Sequence, residues 1–339
     1  MRRMIFLAPG QLAWDEVPDP VLAGAGEAIV RPICMGRCDL DRLYLIGRMP
    51  LAAREPIGHE IFGEVVDLGE AAAAHFSIGQ RVIVPAQISC GDCANCRRGQ
   101  TGRCQSVPLG ASYGMGRAGG YGGGVADLVR VPFARAMLVP LPDVADPVRL
   151  MGLADMATDA WRAVGPALAA RPGASVLVMG GVVPVIGIYA AALARHLGAG
   201  RVLYVDPDPP RRAAAADYGV EVAERLEAVA PPGFDIVVDA AGDADLLLAA
   251  IRACAPAATL TSVAPPFASP PLPMLEMYYK GLSWEIGRPN CRHGHDPALH
   301  AWAVTGFDPG RLGPKRFAYE DAIEAWLDPA LYVAVTRAA

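Results

Sequence analysis

The chain has 339 residues, of which 53% are hydrophobic and 19% are charged, so it can bury a large core and is long enough for two domains. Its net charge of -5 and its pI of about 5.7 exclude the basic surface that nucleic acids or anionic lipids require. We therefore expect a globular protein whose partners are a small molecule and other copies of itself. No N-terminal stretch resembles a signal peptide, and we expect a cytoplasmic location.

The first part of the chain, from Met1 to about Pro142, is rich in valine, isoleucine, glycine and proline. Short apolar runs such as EAIVRPI, EIFGEVVDLG and QRVIVPA are separated by turn residues, which is typical of β-strands. We predict a curled, mostly antiparallel domain here. It contains two short motifs, GRCDLD around Cys38 and GHE around His59, and neither residue indicates a function when taken singly.

The stretch SCGDCANCRRGQTGRC contains half of the eight cysteines of the chain, namely Cys90, Cys93, Cys96 and Cys104. This spacing lets a tight loop place four thiolates around one tetrahedral ion, and zinc favours such a closed shell. Because a closed shell binds no substrate, we predict a structural zinc site. A disulfide pair and an iron-sulfur centre are the alternatives. The expected reducing compartment disfavours the disulfide, and nothing in the sequence indicates an electron-transfer partner.

From residue 146 to about residue 284, short β-branched runs alternate with alanine-rich runs. This alternation predicts βαβ units and a parallel sheet. The uncharged run from residue 173 to residue 194 is long enough to cross a membrane. However, Gly180, Gly181 and Pro184 divide it, so we predict a buried strand followed by a buried helix and no membrane partner.

The turn between that strand and that helix is a candidate phosphate-binding loop at a helix N-terminus. Its candidate cofactor-binding residues are Gly180, Gly181, Pro184 and Gly187. The usual G-x-G-x-x-G spacing is absent, and Val182 or Val183 falls where the second glycine is expected. Asp206 ends the next strand and is suited to the ribose hydroxyls of NAD, since a carboxylate repels the 2'-phosphate of NADP. Arg211 follows closely and keeps NADP as an alternative.

The last part of the chain has mixed character. The segment YEDAIEAWLD predicts a helix, and LYVAVT predicts a closing strand that returns to the first domain. Before them, CRHGH gathers one thiol and two imidazoles between Cys291 and His295. We interpret it as a surface loop, and a pocket-lining or metal-binding segment is the alternative.

The Gly-x-Cys-x-x-Asp element, the Gly-His-Glu element and the four-cysteine lobe occur in this order in one known family. The chain resembles, over nearly its whole length, the zinc-dependent medium-chain dehydrogenases of the alcohol dehydrogenase superfamily. The resemblance implies an α/β fold with a mostly β GroES-like catalytic domain and a Rossmann-type doubly wound parallel sheet. The expected boundaries are 1–145 for the catalytic domain with its zinc lobe at about 88–105, 146–287 for the dinucleotide-binding domain, and 288–339 for the return to the catalytic domain.

The resemblance further implies that Cys38 and His59 bind a catalytic zinc, that Asp41 holds the His59 ring, and that Glu60 lies beside the metal as an exchanging ligand. Members of the family are commonly dimers or tetramers. We therefore expect a homodimer or homotetramer. The apolar region 260–286 is one candidate contact, and a place in the core is the alternative.

The family's third zinc ligand is a cysteine, aspartate or glutamate just before the cofactor domain. We favour Asp155 over Asp159, which lies where the family usually has threonine. The alternative is that Asp155 only satisfies backbone amides at a helix N-terminus. A site with three protein ligands leaves one position open, so that zinc can polarise an alcohol or carbonyl oxygen.

The proton-relay positions depart from the family pattern. Leu40 lies where a serine or threonine usually takes the alcohol proton, and Leu43 lies where some members have a relay histidine. Ser112 and Tyr113 are candidate replacements, unless their glycine-rich loop only joins strands.

We predict an enzyme that interconverts an alcohol or polyol and its aldehyde or ketone, with two zinc ions per chain and NAD as cofactor. The alternative is a family member that binds zinc and nucleotide without turning over an alcohol. A zinc-ribbon protein that binds nucleic acid is a third class, and the acidic pI disfavours it.

Overall fold

The computed structural model of the chain describes residues 1–116, 120–226, 233–265 and 267–337. The chain divides into two compact units. Unit 1 comprises Met1–Asp155, Asn290–Asp296 and Leu312–Ala339, and unit 2 comprises Met156–Pro289 and Pro297–Arg311. Within the described residues, no helix combines the length and the apolar character needed to cross a membrane.

Unit 1 consists mainly of strands, whereas strands alternate with helices in unit 2. The strands are β1 (Arg2–Ala8), β2 (Gln11–Glu16), β3 (Ala28–Gly36), β4 (Glu60–Leu68), β5 (Arg81–Val84), β6 (Val129–Val131), β7 (Val139–Pro140), β8 (Ser175–Met179), β9 (Arg201–Val205), β10 (Glu221–Ala223), β11 (Phe234–Asp239), β12 (Cys254–Ser262), β13 (Ser283–Ile286), β14 (Lys315–Ala318) and β15 (Val333–Thr336). The α-helices are α1 (Asp39–Leu45), α2 (Ala94–Arg97), α3 (Ala134–Met137), α4 (Met156–Ala170), α5 (Pro184–His196), α6 (Pro209–Ala216), α7 (Ala244–Ala253), α8 (Met274–Lys280), α9 (Cys291–Thr305) and α10 (Ala322–Leu327). Short 3-10 helices cover Thr101–Arg103, Pro147–Ala154, Pro309–Leu312 and Tyr319–Asp321.

Unit 1 is built on a mixed, mainly antiparallel sheet in the order β14-β15-β3-β4-β5-β7, with β6 also paired to β3. The long strands β3 and β4 form its centre. Across this pair Val30 faces Val65 and Met35 faces Ile61, and all four side chains are fully buried. Cross-strand contacts between branched and apolar side chains are the main source of stability in such a sheet. The predicted antiparallel β domain is confirmed.

The chain returns to unit 1 at its C-terminal end. The 3-10 turn Tyr319–Asp321 leads into α10, and β15 then pairs antiparallel with β3 through Val335 and Met35. The predicted closing helix and strand are therefore both present.

Unit 2 contains a parallel sheet in the order β10-β9-β8-β11-β12-β13. Each neighbouring pair is parallel. Numbered along the chain, this is the doubly wound order 3-2-1-4-5-6, in which the winding reverses between β8 and β11. Ligands of such sheets bind at the carboxyl ends of the strands next to this switch point. The predicted Rossmann-type fold is confirmed.

The uncharged run from residue 173 to residue 194 forms the strand β8 and most of the helix α5. Four of the five residues of β8 are buried, and so is every residue of α5 from Pro184 to Ala194. A strand and a helix that are buried on all sides need no polar face, which explains the absence of charge.

Candidate active site

Cys38 is placed by the junction between β3 and α1. It is the N-cap residue of α1, and its backbone N–H donates to Asp41 Oδ2 at 3.2 Å. Both side chains are buried, with Asp41 0% exposed. The spacing of the Gly-x-Cys-x-x-Asp motif is therefore that of a helix start, in which an acidic residue of the first turn reaches back to the cap.

His59 immediately precedes β4, whose first residue pairs with the last residue of β3. This pairing brings His59 close to the end of β3 and hence to Cys38. His59 Nδ1 lies 3.5 Å from Asp41 Oδ1. Gly58 has a φ of +87°, and a Cβ at this position would lie 2.7 Å from a methyl group of Val125, so only glycine fits before this histidine.

Asp155 follows the 3-10 helix Pro147–Ala154 and supplies the third group. Its Oδ2 lies 3.4 Å from Cys38 Sγ and 3.5 Å from His59 Nε2. One ligand atom from each of these three residues lies within 4.8 Å of the others. Asp159 instead forms an ion pair with Arg162 at 2.7 Å.

The charges of this cluster favour a bound cation. Among the described residues, neither ring nitrogen of the fully buried His59 has a hydrogen-bond partner. Burial lowers the pKa of His59, but the carboxylates of Asp41 and Asp155 outweigh it and raise the pKa to about 9. Burial, followed by Asp155 and Glu60, raises the pKa of the Cys38 thiol well above its ordinary value. A divalent ion would supply the positive charge that these acids favour and that a thiolate needs, and this donor set fits zinc.

Glu60 is fully buried next to His59. Its Oε2 accepts a hydrogen bond from the hydroxyl of Tyr332 at 2.8 Å. A Cβ on Gly36 would collide with this oxygen. The Glu60 side chain therefore fits beside the end of β3 only because residue 36 is a glycine. No local spacing in the sequence links Tyr332 to Glu60, so no sequence motif predicts this contact.

The CRHGH segment is not a surface loop, and that interpretation is wrong. It forms the first turn of α9, and Cys291 and His295 are both 0% exposed. The Cys291 thiol donates to Asp155 Oδ1 at 3.0 Å. The burial results from contacts with distant residues, which no local pattern of the sequence reveals.

The four-cysteine lobe has the geometry of a tetrathiolate site. One sulfur from each of Cys90, Cys93, Cys96 and Cys104 lies within 4.8 Å of the others, and all eight cysteines are free. Backbone N–H groups of Cys93, Cys96 and Gln105 donate to sulfurs of the lobe at 3.4 to 3.5 Å. Such bonds lower the pKa of Cys93 to about 6, which favours the thiolate form that a metal ion binds.

The predicted nucleotide turn lies between β8 and α5, with Pro184 in the first turn of the helix. The amides of Val182 and Val183 donate to the carbonyls of Ala241 and Ala240 at 3.2 and 3.3 Å. A Cβ on Gly181 would lie 2.6 Å from Ala241. The irregular turn is thus packed closely against the loop that follows β11.

Asp206 lies at the carboxyl end of β9 and is 0% exposed. Its Oδ1 accepts from the amide of Asp208 at 2.8 Å, and its Oδ2 accepts from the hydroxyl of Tyr204 at 2.9 Å. Arg211 Nη1 lies 3.5 Å from Asp206 and donates to the carbonyl of Gly181 at 2.7 Å. The structure therefore brings Gly181, Asp206 and Arg211 together at one edge of the sheet.

A cavity of about 240 Å³ lies in unit 2 beside the carboxyl ends of β11 and β12, and Asp239, Ser262, Phe267 and Trp284 are among its lining residues. Burial raises the pKa of Asp239. This side of the switch point is the usual place for a ligand in a doubly wound sheet, and the sequence analysis did not identify it.

The candidate proton-relay residues are engaged elsewhere. Ser112 Oγ donates to the carbonyl of Gly110 at 2.6 Å, and the Tyr113 hydroxyl donates to the carbonyl of Arg130 at 2.8 Å. Leu40 is half-buried and packs against an apolar cluster that includes Met115 and Cys291. Leu40 therefore offers an apolar side chain and no hydroxyl at this position.

Two family models match the chain. The alcohol dehydrogenase GroES-like domain matches residues 24–143, and the zinc-binding dehydrogenase model matches residues 185–287. The alcohol dehydrogenase of Thermus sp. ATN1 is similar over 100% of both chains, with 30% identity and a TM-score of 0.88. The chain belongs to the zinc-dependent medium-chain dehydrogenase family. The resemblance recognised in the sequence motifs is thereby confirmed.

Two further proteins are similar to this chain. The glutathione-independent formaldehyde dehydrogenase of Pseudomonas aeruginosa is 32% identical over 264 residues, which cover 71% of this chain and 65% of that protein. The chain thus spans slightly less than two thirds of the length of this relative. A zinc-binding dehydrogenase from Sinorhizobium meliloti, solved with NADP, shares the fold with 24% identity, a TM-score of 0.79, and coverage of 99% of this chain and 98% of that chain.

Proposed function

We propose that this dehydrogenase interconverts an alcohol or polyol with its aldehyde or ketone, using NAD as the hydride acceptor or donor. The proposal rests on the buried cluster of one thiol, one imidazole and one carboxylate, whose ligand atoms lie within 4.8 Å of one another. When bound, zinc would supply Lewis-acid polarisation of the substrate oxygen, and NAD would supply the hydride acceptor.

Within this proposal, Cys38, His59 and Asp155 hold the metal ion. Three protein ligands leave one tetrahedral position for the substrate oxygen. His59 Nδ1 lies 3.5 Å from Asp41 Oδ1, so the carboxylate favours the tautomer with its proton on Nδ1, which leaves Nε2 for the metal. Leu40 carries no hydroxyl, so within this proposal the substrate proton passes to water or to a hydroxyl other than one at position 40.

We assign NAD rather than NADP because of Asp206. Its buried carboxylate would accept hydrogen bonds from the ribose hydroxyls and repel a 2'-phosphate. Arg211 lies 3.5 Å from Asp206 Oδ2 and donates to the carbonyl of Gly181 at 2.7 Å, so its guanidinium would have to leave these partners to bind a 2'-phosphate. Gly180 and Gly181 lie in the turn, and Pro184 and Gly187 lie in the first turn of α5; together they would face the pyrophosphate.

We also propose a second zinc ion, held by the lobe of Cys90, Cys93, Cys96 and Cys104. Four sulfurs that lie within 4.8 Å of one another form a closed shell with no position for a substrate, so the role of this ion is structural.

Metal content and turnover test the proposed function together. Purified protein should contain about two zinc ions per chain, and His59→Ala should contain about one. His75→Ala, which removes an exposed histidine, is the matched control and should keep both zinc ions.

NADH absorbance should rise with at least one member of a panel of primary, secondary and cyclic alcohols, polyols and hydrated formaldehyde. NADH binding without turnover across the panel would favour the alternative of a non-catalytic member.

We further propose a cytoplasmic homo-oligomer. In unit 2, α8 exposes Met274, Leu275, Tyr278 and Tyr279, each more than 60% exposed. The neighbouring β13 is an edge strand of the parallel sheet. An exposed apolar patch beside an open sheet edge is typical of a subunit contact. Pro266, within the candidate region 260–286, lies outside the described residues. Sedimentation equilibrium of the wild type and of Tyr279→Glu measures this association, and a wild-type monomer would contradict it.

A further inference from the structure

Asp155 uses its two carboxylate oxygens differently. Oδ2 faces the candidate metal site, at 3.4 Å from Cys38 Sγ and 3.5 Å from His59 Nε2. Oδ1 accepts a hydrogen bond from the Cys291 thiol at 3.0 Å. Cys291 is 136 residues away in the sequence and 0% exposed, so this contact is formed by the fold and not by chain proximity.

The first turn of α9 contacts two consecutive residues, Ala154 and Asp155. Besides the thiol contact of Cys291, His295 Nε2 lies 2.9 Å from the carbonyl oxygen of Ala154. Residues separated by four positions lie on the same face of a helix. The backbone N–H of Cys291 also donates to Gln87 Oε1 at 3.1 Å, which holds the start of the helix in place.

The other side of this segment is attached to the four-cysteine lobe. Asn290 Oδ1 accepts from the backbone N–H of Gly102 at 3.1 Å and from Arg103 Nη1 at 3.2 Å. The backbone N–H of His293 donates to Thr101 Oγ1 at 3.4 Å. Residues 290–295 therefore form a bracket between the lobe and Asp155, with all of these residues in unit 1.

We propose that Cys291 is a positioning residue for the carboxylate metal ligand. Its S–H group holds Oδ1 of Asp155 away from the metal position, so that the carboxylate presents Oδ2 alone. Without this donor the carboxylate can rotate and offer both oxygens, which would fill the position that the substrate oxygen needs. This inference rests on the proposed function, because it takes Asp155 as a metal ligand.

Removing the Cys291 thiol should lower metal affinity as much as removing other hydrogen-bond partners of metal ligands does. Cys291→Ala should weaken the binding of one metal ion per chain by about 10- to 100-fold. Cys291→Ser keeps a donor at the same place and should restore most of the affinity. Cys254→Ala is the matched control, because Cys254 is a buried thiol of unit 2 that donates to the carbonyl of Ala250, and it should leave both affinities unchanged.

Two measurements separate positioning from a general loss of packing. The first is competition for zinc with a chromophoric chelator. The second is the visible d–d spectrum of protein that carries cobalt(II) at the site of Cys38, His59 and Asp155. This spectrum reports the number and geometry of the ligands. Cys291→Ala should shift the spectrum towards higher coordination, while Cys291→Ser should resemble the wild type. If Cys291→Ala does not fold, Cys291→Val fills the space without a donor and takes its place.

An affinity and a spectrum of Cys291→Ala that match those of Cys254→Ala would overturn the inference. So would a Cys291→Ser variant that behaves like Cys291→Ala. If instead His59→Ala retains the full metal content of the wild type, the proposed catalytic site itself is wrong, and the two failures are thereby distinguished.

Discussion

At the scale of single residues, the candidate site is a set of acids and a thiol that are stable together only beside a cation. Asp41, Glu60 and Asp155 are all buried close to His59. Without a counter-charge, several buried carboxylates in one place are expensive. The pattern of burial is therefore informative about metal binding even before any ligand is considered.

Asp41 should control how well His59 binds the metal. Asp41→Asn keeps the size of the side chain but removes the charge that lies 3.5 Å from His59 Nδ1. We expect zinc affinity at this site to fall by about 10- to 100-fold, since an uncharged partner supports the ring less well. Chelator competition measures the change, and an unchanged affinity would show that Asp41 serves only the start of α1.

Tyr332 should stabilise the fold through Glu60. Tyr332→Phe removes the hydroxyl that donates to the buried carboxylate at 2.8 Å, and we expect the free energy of unfolding to fall by about 1–3 kcal/mol. Tyr113→Phe is the matched control, since that buried hydroxyl donates to a neutral backbone carbonyl. Urea denaturation of both variants compares the losses, and a larger loss for Tyr113→Phe would contradict the expectation.

Asp206 should decide the choice of dinucleotide. Asp206→Ala removes the carboxylate at the end of β9, and we expect the Kd for NADH to rise about 10-fold or more. The Kd for NADPH should fall or stay constant, because the repulsion of the 2'-phosphate is removed. Fluorescence titration with both dinucleotides gives the ratio, and an equal loss for both would mean that Asp206 has only a structural role.

How far the sequence predicts these residues depends on their spacing along the chain. Cys38 and Asp41, like the four cysteines of the lobe, are close in sequence, so local geometry is enough to suggest a joint role. Asp155 was found only through the family resemblance. Tyr332 lies 272 residues from Glu60, and a contact over such a distance is decided by the tertiary fold alone.

At the scale of secondary structure elements, the strands follow from their apolar patterns, whereas α9 does not follow from its sequence. Gly294 and Pro297 lie within α9, and both residues disfavour a helix interior. The helix forms because its first turn is buried among tertiary contacts, which outweigh local propensity. That is why a loop was predicted in its place.

The start of the parallel sheet should carry a pH-dependent contribution to stability. The backbone N–H and hydroxyl of Ser175 donate to Asp235 at 2.9 and 2.8 Å, and these hydrogen bonds hold the pKa of Asp235 below its ordinary value. A lowered pKa means that the contribution is complete above the ordinary pKa of about 4 and is lost as the pH falls through the folded pKa.

We therefore expect Asp235→Asn to be less stable than the wild type by about 1 kcal/mol near pH 7. The difference should shrink as the pH falls below the ordinary pKa of about 4 and through the lowered pKa of the folded protein, because protonation removes the charge of the wild-type carboxyl. Urea denaturation across this range measures it, and a difference that does not vary with pH would argue against the charged form as the source of the stability.

At the scale of the whole molecule, unit 1 carries both candidate metal sites and unit 2 carries the candidate nucleotide site. The lobe and the Cys38 cluster share the bracket of residues 290–295 but no ligand. Removing the metal of the lobe should therefore weaken the other site only indirectly.

Cys93→Ser should lower the zinc content by about one ion per chain and lower the Tm, because the closed thiolate shell is broken. The remaining ion should stay bound, and His59→Ala combined with Cys93→Ser should contain almost none. Metal analysis and thermal unfolding of the three variants check this, and loss of both ions in Cys93→Ser alone would show that the sites are strongly coupled.

The position of β15 has a consequence for biosynthesis. The part of β3 that leads to Cys38, from Cys34 to Gly36, pairs on one side with β15, which a ribosome produces only after all of the proposed metal ligands. Until then this stretch is an open edge prone to wrong pairing. By the time β15 is made, the three ligands of the Cys38 site and the four cysteines of the lobe have already left the exit tunnel. Zinc uptake by the nascent chain is therefore free to precede closure of the sheet, and early loading would protect thiols that otherwise wait exposed.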